Sequence, residues 1–262
     1  MKIGFIGLGN MAGAMIGGLI KKGTPAKDII GYDISKAVCD KRKEEFGITI
    51  AKNNDSLVNE CKSVVLAVKP QFLTSALDEI SKFSSDTVVI SIVAGKTLEF
   101  LSDNIKGTKK IIRCMPNTAA LVGAAMTGVA ASDDVTKEEL ESALSIIESF
   151  GKAIVIPEKL MDTVTGVSGS SPAFVFMFIE AMADAAVLEG MPRAMAYEFA
   201  AGAVYGSAKL MMETGKHPSE LKDMVTSPAG TTIMGVKALE DGAFRSTVMD
   251  AVVAATERSK EL

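Results

Sequence analysis

The residues of this chain that could do chemistry are glycines, hydroxyls and amides at helix starts, and what they could do is hold anions. Gly7-Leu8-Gly9-Asn10-Met11-Ala12 follows an apolar run and opens a helical pattern, the setting in which a glycine-rich turn grips the pyrophosphate of a dinucleotide. Gly7 permits the tight turn, Gly9 lets backbone amides approach the phosphates, and Ala12 is the small residue where helix meets strand. Asp33, in Gly31-Tyr32-Asp33-Ile34-Ser35-Lys36, ends the second β-type run, where a carboxylate accepts hydrogen bonds from the adenosine ribose and favours NAD. Ser35 and Lys36 would instead hold a 2'-phosphate if Asp33 turned away, which keeps NADP open, and Asp33 also reads as a helix N-cap.

Ala67-Val68-Lys69-Pro70 follows another apolar run, so its backbone belongs at the carboxyl edge of the sheet, where doubly wound folds bind ligands. Lys69 reads equally as a cofactor contact or a solvated loop lysine. Val93-Ala94-Gly95 offers small residues against which nicotinamide or ribose could lie. Asn117, in Met115-Pro116-Asn117-Thr118, could reach the reacting end of a cofactor or simply form an Asn-Thr turn. Near the other end, Ser227-Pro228-Ala229-Gly230-Thr231-Thr232 precedes the helical pattern Ile233, Val236, Leu239, which Gly242 closes. Unpaired amides at that helix start, flanked by hydroxyls, make either a cradle for a small carboxylate or an ordinary cap. The single histidine, His217, precedes Pro218 and reads as a helix start with Pro at N1, with no catalytic role.

The elements that must position these groups fall into two kinds. Strand patterns run Lys2 to Ile6, Ile29 to Asp33, Ser63 to Val68, Thr87 to Ile92, Lys110 to Met115, Gly128 to Ala131 and Ala153 to Ile156. Helical patterns near 11–22, 36–46, 71–83 and 134–150 alternate with them, which predicts βαβ units and a parallel sheet. Thr136-Lys137-Glu138-Glu139 has capping-box spacing. From about residue 158 the β-type runs vanish, which places a dinucleotide-binding domain at 1–157 and a helical domain at 158–262. Ser171-Pro172 opens a helix that Gly190 and Pro192 end, and a second runs over about 193–213. Both are apolar on nearly every side, and about 100 residues cannot bury two such helices alone. Homo-oligomerisation through them is expected.

Composition narrows the classes. The 262 residues carry a net charge of -4, with 48% hydrophobic and 23% charged, a globular profile. No basic block or basic-aromatic stripe exists to neutralise phosphates, so nucleic acid is not expected as a partner. No uninterrupted apolar run reaches the ~20 residues that span a bilayer, and a membrane is not expected either. Lys2 and Ala12-Gly13-Ala14 imitate a signal peptide, but the run between them is glycine-rich and lacks a polar cleavage region. Cys39, Cys61 and Cys114 are odd in number and lack CxxC spacing, as expected of reduced thiols in a cytoplasmic protein. With one histidine, no metal site is expected.

Taken together the segments resemble the pyrroline-5-carboxylate reductase family. The resemblance rests on Phe5-Ile6-Gly7-Leu8-Gly9-Asn10-Met11-Ala12, Ala67-Val68-Lys69-Pro70-Gln71, Arg113-Cys114-Met115-Pro116-Asn117-Thr118 and Gly166-Val167-Ser168-Gly169-Ser170-Ser171-Pro172-Ala173. It rests above all on Leu221-Lys222-Asp223 through Ser227-Pro228 to Thr231-Thr232-Ile233, and it extends to the ending from Ala254 to Leu262. The resemblance implies a Rossmann-type doubly wound α/β sheet followed by an all-α dimerisation domain, and dimers through interlocked C-terminal helices that often assemble into rings. It implies NAD(P) contacts from Gly7, Leu8, Gly9, Asn10, Met11, Ser35, Asn54, Ala67, Val68, Lys69, Pro70, Val93, Ala94 and Gly95. Ser227, Gly230 and Thr231 would hold the substrate carboxylate, with Thr232 beside the imine nitrogen. The chain departs from the family pattern with Ser171 where Gly is usual, Ala119 where Pro is usual, Ala229 where the first of two glycines is usual, and Asp33 in a family that often favours NADPH.

The expected reaction is hydride transfer from nicotinamide to the imine carbon of 1-pyrroline-5-carboxylate, which becomes C5 of L-proline, with Thr232 as the catalytic hydrogen-bond donor and either NADP or NAD as cofactor. A β-hydroxyacid dehydrogenase is the nearest rival; it needs a lysine in the helix after the glycine-serine segment, and residues 173–189 contain none. A non-catalytic NAD(P)-binding regulator is the other, and it has no need of a carboxylate cradle.

Overall fold

The computed structural model describes residues 2–261; Leu262, the last residue of the family-like ending, lies outside the described residues. Eight strands form one sheet: β1 (Ile3–Ile6), β2 (Ile29–Tyr32), β3 (Thr49–Ile50), β4 (Ser63–Leu66), β5 (Val88–Ser91), β6 (Ile111–Met115), β7 (Ala125–Ala131) and β8 (Gly151–Val155). Helices of the same half are α1 (Asn10–Lys21), α2 (Lys36–Phe46), α3 (Asn54–Val58), α4 (Leu73–Asp78), α5 (Leu98–Asn104), α6 (Lys137–Ile147) and α7 (Met161–Val164). The strand order is β3-β2-β1-β4-β5-β6-β7-β8, reversing direction from β1, so the carboxyl ends of β1 and β4 flank the switch point where doubly wound sheets bind ligands.

Period-two alternation builds a core on each face of this sheet. Ile3, Phe5, Val65, Ile90 and Ile112 pack with Met15, Ile16 and Leu19 of α1 and with Ile146 and Ile147 of α6. The intervening Ile6, Val64, Leu66, Val89 and Ile111 pack with Leu57, Leu73, Leu77 and Leu101 on the opposite face. Two expectations needed revision here. The sheet is not wholly parallel: β7 runs antiparallel to β6, because the connection through Asn117 and the short turn Thr118–Val122 is too short for a crossover. The two-residue β3, paired with β2, carries no pattern that a sequence window could detect. The expected capping box is present: the Glu139 N–H donates to Thr136 Oγ1 at 3.2 Å, and the Thr136 N–H donates to Glu139 Oε2 at 3.0 Å.

Compactness divides the chain at a different place from the composition shift at 157/158. One compact unit runs to Ser170 and takes in the chain again from Ala254, and the other is Ser171–Val253. The reason is local chemistry after β8. Glu158 Oε1 accepts from the Leu98 N–H at 2.7 Å and from Arg113 Nη1 at 2.9 Å. Met161 is buried, Val164 lies against Gly128, and Ser259 Oγ donates to Asp162 Oδ1 at 2.7 Å. The chain is helical before Ser171 as well, passing through a π-turn at Thr165–Gly169, so Ser171-Pro172 resumes a helix rather than opening one after a loop.

The second unit contains α8 (Ser171–Leu188), α9 (Arg193–Thr214), α10 (Pro218–Met224), α11 (Thr231–Asp241) and the start of α12 (Phe244–Lys260). Its own core is small. Ala183, Ala196 and Ala200 are its fully buried apolar residues, at the α8/α9 contact. Large side chains including Phe176, Met177, Phe199, Tyr205, Met234 and Met249 are exposed, an apolar area far beyond what a lone chain tolerates in water. Glu158–Leu188 is long and apolar enough to cross a membrane by length and composition alone.

Candidate functional site

The carboxyl ends of β1, β2 and β4 surround a cavity of about 290 Å³. It brings together seven residues singled out from the sequence: Gly7, Gly9, Asp33, Asn54, Ala67, Val68 and Lys69. Gly7 has φ +90°, and a Cβ there would stand 2.8 Å from the Ala67 carbonyl oxygen, so its glycine is demanded both by conformation and by the close approach of β1 to β4. Gly9 is different. It caps α1 without any side-chain bond, and a Cβ on it would meet nothing within 4 Å. The room beside Gly9 and the unpaired amides of Asn10, Met11 and Ala12 fit an anion such as a pyrophosphate, since the first intrahelical bond is made by the Gly13 N–H to the Gly9 carbonyl.

Asp33 is tied down on both oxygens. Oδ2 accepts from the Leu8 N–H and Oδ1 from the Ser35 N–H, each at 2.9 Å, which joins the glycine-rich turn to the start of α2. Ser35 is the backbone N-cap of α2, so the alternative reading of Asp33 as N-cap does not hold; Lys36 is the first residue of the helix and is exposed. Leu8 contributes main chain only, its side chain lying in the core. Asn54 is buried, donates from Nδ2 to Glu79 Oε2 at 2.8 Å, and keeps an Oδ1 with no partner. Lys69 is exposed and forms no ion pair among the described residues, and Pro70 starts the short turn after it.

Several expected residues are placed elsewhere. Asn10 lines a second, more polar cavity with Lys21, Lys22 and Lys41, so only its backbone N–H serves the first. Val93 is buried, with its N–H on Ser91 Oγ at 3.3 Å; it leads through Ala94 into Gly95, whose φ of +71° turns the chain after β5. Asn117 does not line the cavity. Its Nδ2 donates to Ser168 O at 3.1 Å and Oγ at 3.2 Å, and its Oδ1 accepts from the Met126 N–H at 3.4 Å, which clamps the end of β6 to the π-turn.

Four contributors escaped sequence reasoning. Arg42 of α2 is buried, donating from Nε to the Leu8 carbonyl and from Nη2 to the Gly9 carbonyl, each at 3.0 Å. Gly13 makes room for it, since a Cβ there would lie 2.5 Å from Arg42 Cζ. Ile34, 90% exposed on the cavity rim, and Glu79 complete the set. An isoleucine directly after Asp33 at the end of a β-type run was the available signal for one of them; Arg42 and Glu79 sit among other charges and gave none.

In the helical unit, the turn before α11 is built to leave its amides free. The Gly230 N–H donates to the Ser227 carbonyl at 3.1 Å, and Gly230 caps α11 without any side-chain bond. A Cβ on Gly230 would fall 2.3 Å from Ser227 Oγ, so glycine is required for the hydroxyl to sit over the helix start. The N–H groups of Thr231, Thr232 and Ile233 therefore open the helix without intrahelical partners, beside the Ser227, Thr231 and Thr232 hydroxyls. Ala229 holds φ +55°, a conformation suited to glycine and costly for alanine. His217 caps α10, its Nδ1 accepting from the Ser219 N–H at 3.3 Å. Both half-sites offer main-chain hydrogen-bond donors to anions, the first beside the Asp33 and Glu79 carboxylates and the second beside hydroxyls.

Comparison with known proteins agrees with these halves. Residues 158–262 match the family model for pyrroline-5-carboxylate reductase dimerisation, and residues 2–95 match that for NADP oxidoreductase, coenzyme F420-dependent. The chain is 49% identical to the pyrroline-5-carboxylate reductase of Escherichia coli, over 100% of this chain and 98% of that one. It is 48% identical to the pyrroline-5-carboxylate reductase of Methanosarcina acetivorans, over 100% and 97%. Among solved structures, a pyrroline-5-carboxylate reductase from Coxiella burnetii superposes with a TM-score of 0.92 at 33% identity, covering 99% of this chain and 97% of that one. A Plasmodium falciparum pyrroline carboxylate reductase with NADP bound superposes at 0.89 and 32% identity, covering 100% and 97%.

Proposed function

We infer that this chain, which belongs to the pyrroline-5-carboxylate reductase family, reduces 1-pyrroline-5-carboxylate to L-proline with NADH or NADPH, the last step of proline biosynthesis. The observation that carries the reading is the uncapped start of α11, where Ser227, Gly230 and Thr231 form a cradle for a small carboxylate in a chain matched end to end by this family.

When bound, the reduced nicotinamide supplies a hydride to the imine carbon. The room beside Gly9 and the unpaired amides of Asn10, Met11 and Ala12 would hold the pyrophosphate, with Gly7 and Leu8 shaping the turn, and Asp33, Ser35, Lys36 and Asn54 would surround the adenosine. Ala67, Val68, Lys69 and Pro70, with the main chain of Val93, Ala94 and Gly95, would face the remainder of the cofactor. Asn117 acts as a positioning residue through Ser168. The Thr232 hydroxyl would donate to the imine nitrogen, drawing electron density from the imine carbon and holding that nitrogen as it takes a proton from solvent. A protonated or hydrogen-bonded imine is already a good hydride acceptor, so orientation does most of the work. The absence of lysine between residues 173 and 189 argues against the β-hydroxyacid dehydrogenase alternative.

The C-terminal helices are a dimerisation domain, and the exposed apolar side chains of α8 and α9 are the surface a second copy covers. The reading extends to a homodimer, with a ring of dimers beyond it, located in the cytoplasm and acting on a small molecule without nucleic acid or membrane. Polar Thr165, Ser168, Ser170 and Ser171 in the middle of the apolar helical stretch support the last point.

Initial rates with pyrroline-5-carboxylate and each reduced cofactor test the reaction. Thr232→Ala should lower kcat by about 10-fold or more, the scale of losing one transition-state donor, with the cofactor KM little changed. A folded protein that binds dinucleotide but shows no proline-dependent reduction of NAD(P)+ at high pH would be the non-catalytic regulator instead.

A further inference from the structure

NADH and NADPH differ by one 2'-phosphate on the adenosine ribose, so the choice between them is made by the charges at the adenosine end of the first cavity. Resting on the reductase reading above, we propose that this chain prefers NADH, with Asp33 as the discriminating residue and Glu79, acting through Asn54, as its reinforcement. A phosphate monoester carries about 1.5 to 2 negative charges at neutral pH and calls for cationic, donor-rich partners.

The structure provides the reverse. Asp33 cannot turn away from the ribose side, because its two oxygens are held by the Leu8 and Ser35 N–H groups at 2.9 Å. The Ser35 N–H, a donor that a phosphate at the start of α2 would use, is consumed by the same carboxylate. Each Asp33 oxygen keeps a second lone pair, which a ribose hydroxyl can reach as donor and a phosphate oxygen cannot.

A second carboxylate lines the same cavity. Glu79 accepts from Asn54 Nδ2, and because an ionised carboxylate only accepts, it fixes the amide with its NH2 toward Glu79. The polar atom of this pair left without a partner is Asn54 Oδ1, another acceptor, which suits a hydroxyl and repels a phosphate. Cations that could reverse the balance are engaged or distant. Arg42 is committed to the Leu8 and Gly9 carbonyls and to Glu45 Oε2 at 2.6 Å. Lys69 lines the same cavity but follows β4, on the far side of β1 from Asp33. Lys36 is the one lysine next to Ser35 at the start of α2.

The test is calorimetric titration of the full chain with NAD+ and NADP+, paired with kcat/KM for NADH and NADPH, on the wild type, Asp33→Asn and Glu79→Gln. The expected result is at least 10-fold tighter binding of NAD+ by the wild type, a shift of 10-fold or more toward NADP+ in Asp33→Asn, and a smaller shift the same way in Glu79→Gln. If Asp33→Asn fails to fold, the wild-type ratio and Glu79→Gln decide. Equal or tighter binding of NADP+ by the wild type, or an unchanged ratio in a folded Asp33→Asn, overturns the proposal while leaving the reductase reading intact. Reduction with neither cofactor, and binding of neither nucleotide, would overturn both.

Discussion

Gly13→Ala is the sharpest perturbation of the nucleotide turn, because its effect depends on a residue 29 positions away in sequence. In an isolated helix the change would stabilise by about 0.5–1 kcal/mol, since glycine is a poor interior residue. Here the added Cβ would lie 2.5 Å from Arg42 Cζ and 2.6 Å from Nη2, closer than any real contact. The guanidinium must move, and it is 7% exposed and bonded to both the Leu8 and Gly9 carbonyls at 3.0 Å. Hydrogen bonds from a charged donor are worth about 1.5–3 kcal/mol each, so losing one or both outweighs the helix gain and leaves a net loss of roughly 2 kcal/mol or more. In an Arg42→Met background those bonds are already absent, and Gly13→Ala should cost little. Urea denaturation of the four proteins of this cycle, with calorimetric NAD+ binding on each, reads the coupling. Equal effects of Gly13→Ala in both backgrounds, or a stabilised single variant, would refute the clamp.

Ala229→Gly should stabilise the chain by up to about 1 kcal/mol: a left-handed alanine costs roughly 1–2 kcal/mol, and the extra freedom of unfolded glycine returns about 0.5–1 of it. A lower urea midpoint would contradict the φ of +55°. Burial pushes the Cys61 thiol up to about 11 and those of Cys114 and Cys39 upward too, so Ellman's reagent should label none of the three in the native protein near pH 8 and all three after denaturation. Rapid native labelling of Cys114 would count against its buried position. The hydrogen bond from Lys110, and then that from the Thr136 N–H, hold Glu139 below the usual carboxylate range. Its contribution is therefore full above about pH 4.3 and lost as pH falls through the lower folded value. Glu139→Gln should lose less stability on acidification than the wild type, and parallel pH profiles would show the bond contributes nothing.

Local signals made much of this legible. Gly7 and Gly9 stood between a strand and a helix, Thr136 and Glu139 had cap spacing, and Gly230 preceded a run of hydroxyls, so each was readable within a dozen residues. What escaped depended on distant partners. Arg42 sits within Lys41-Arg42-Lys43-Glu44-Glu45, which reads as a solvated face until α2 packs against the glycine-rich turn. Glu79 gains meaning only from Asn54, 25 residues earlier. The first compact unit extends past residue 158 because Glu158 bonds Leu98 and Arg113, pairs that no composition shift records. Asn117 was readable as polar at a strand end, yet which partner its amide takes is settled by Ser168 on the π-turn.

A crystal structure of the chain with oxidised dinucleotide and L-proline tests the central claim most directly. The account predicts the proline carboxylate against the Thr231 and Thr232 amides and the Ser227 hydroxyl, with its ring carbon facing the nicotinamide. Proline bound away from the start of α11, or with its carboxylate held by other groups, would contradict it.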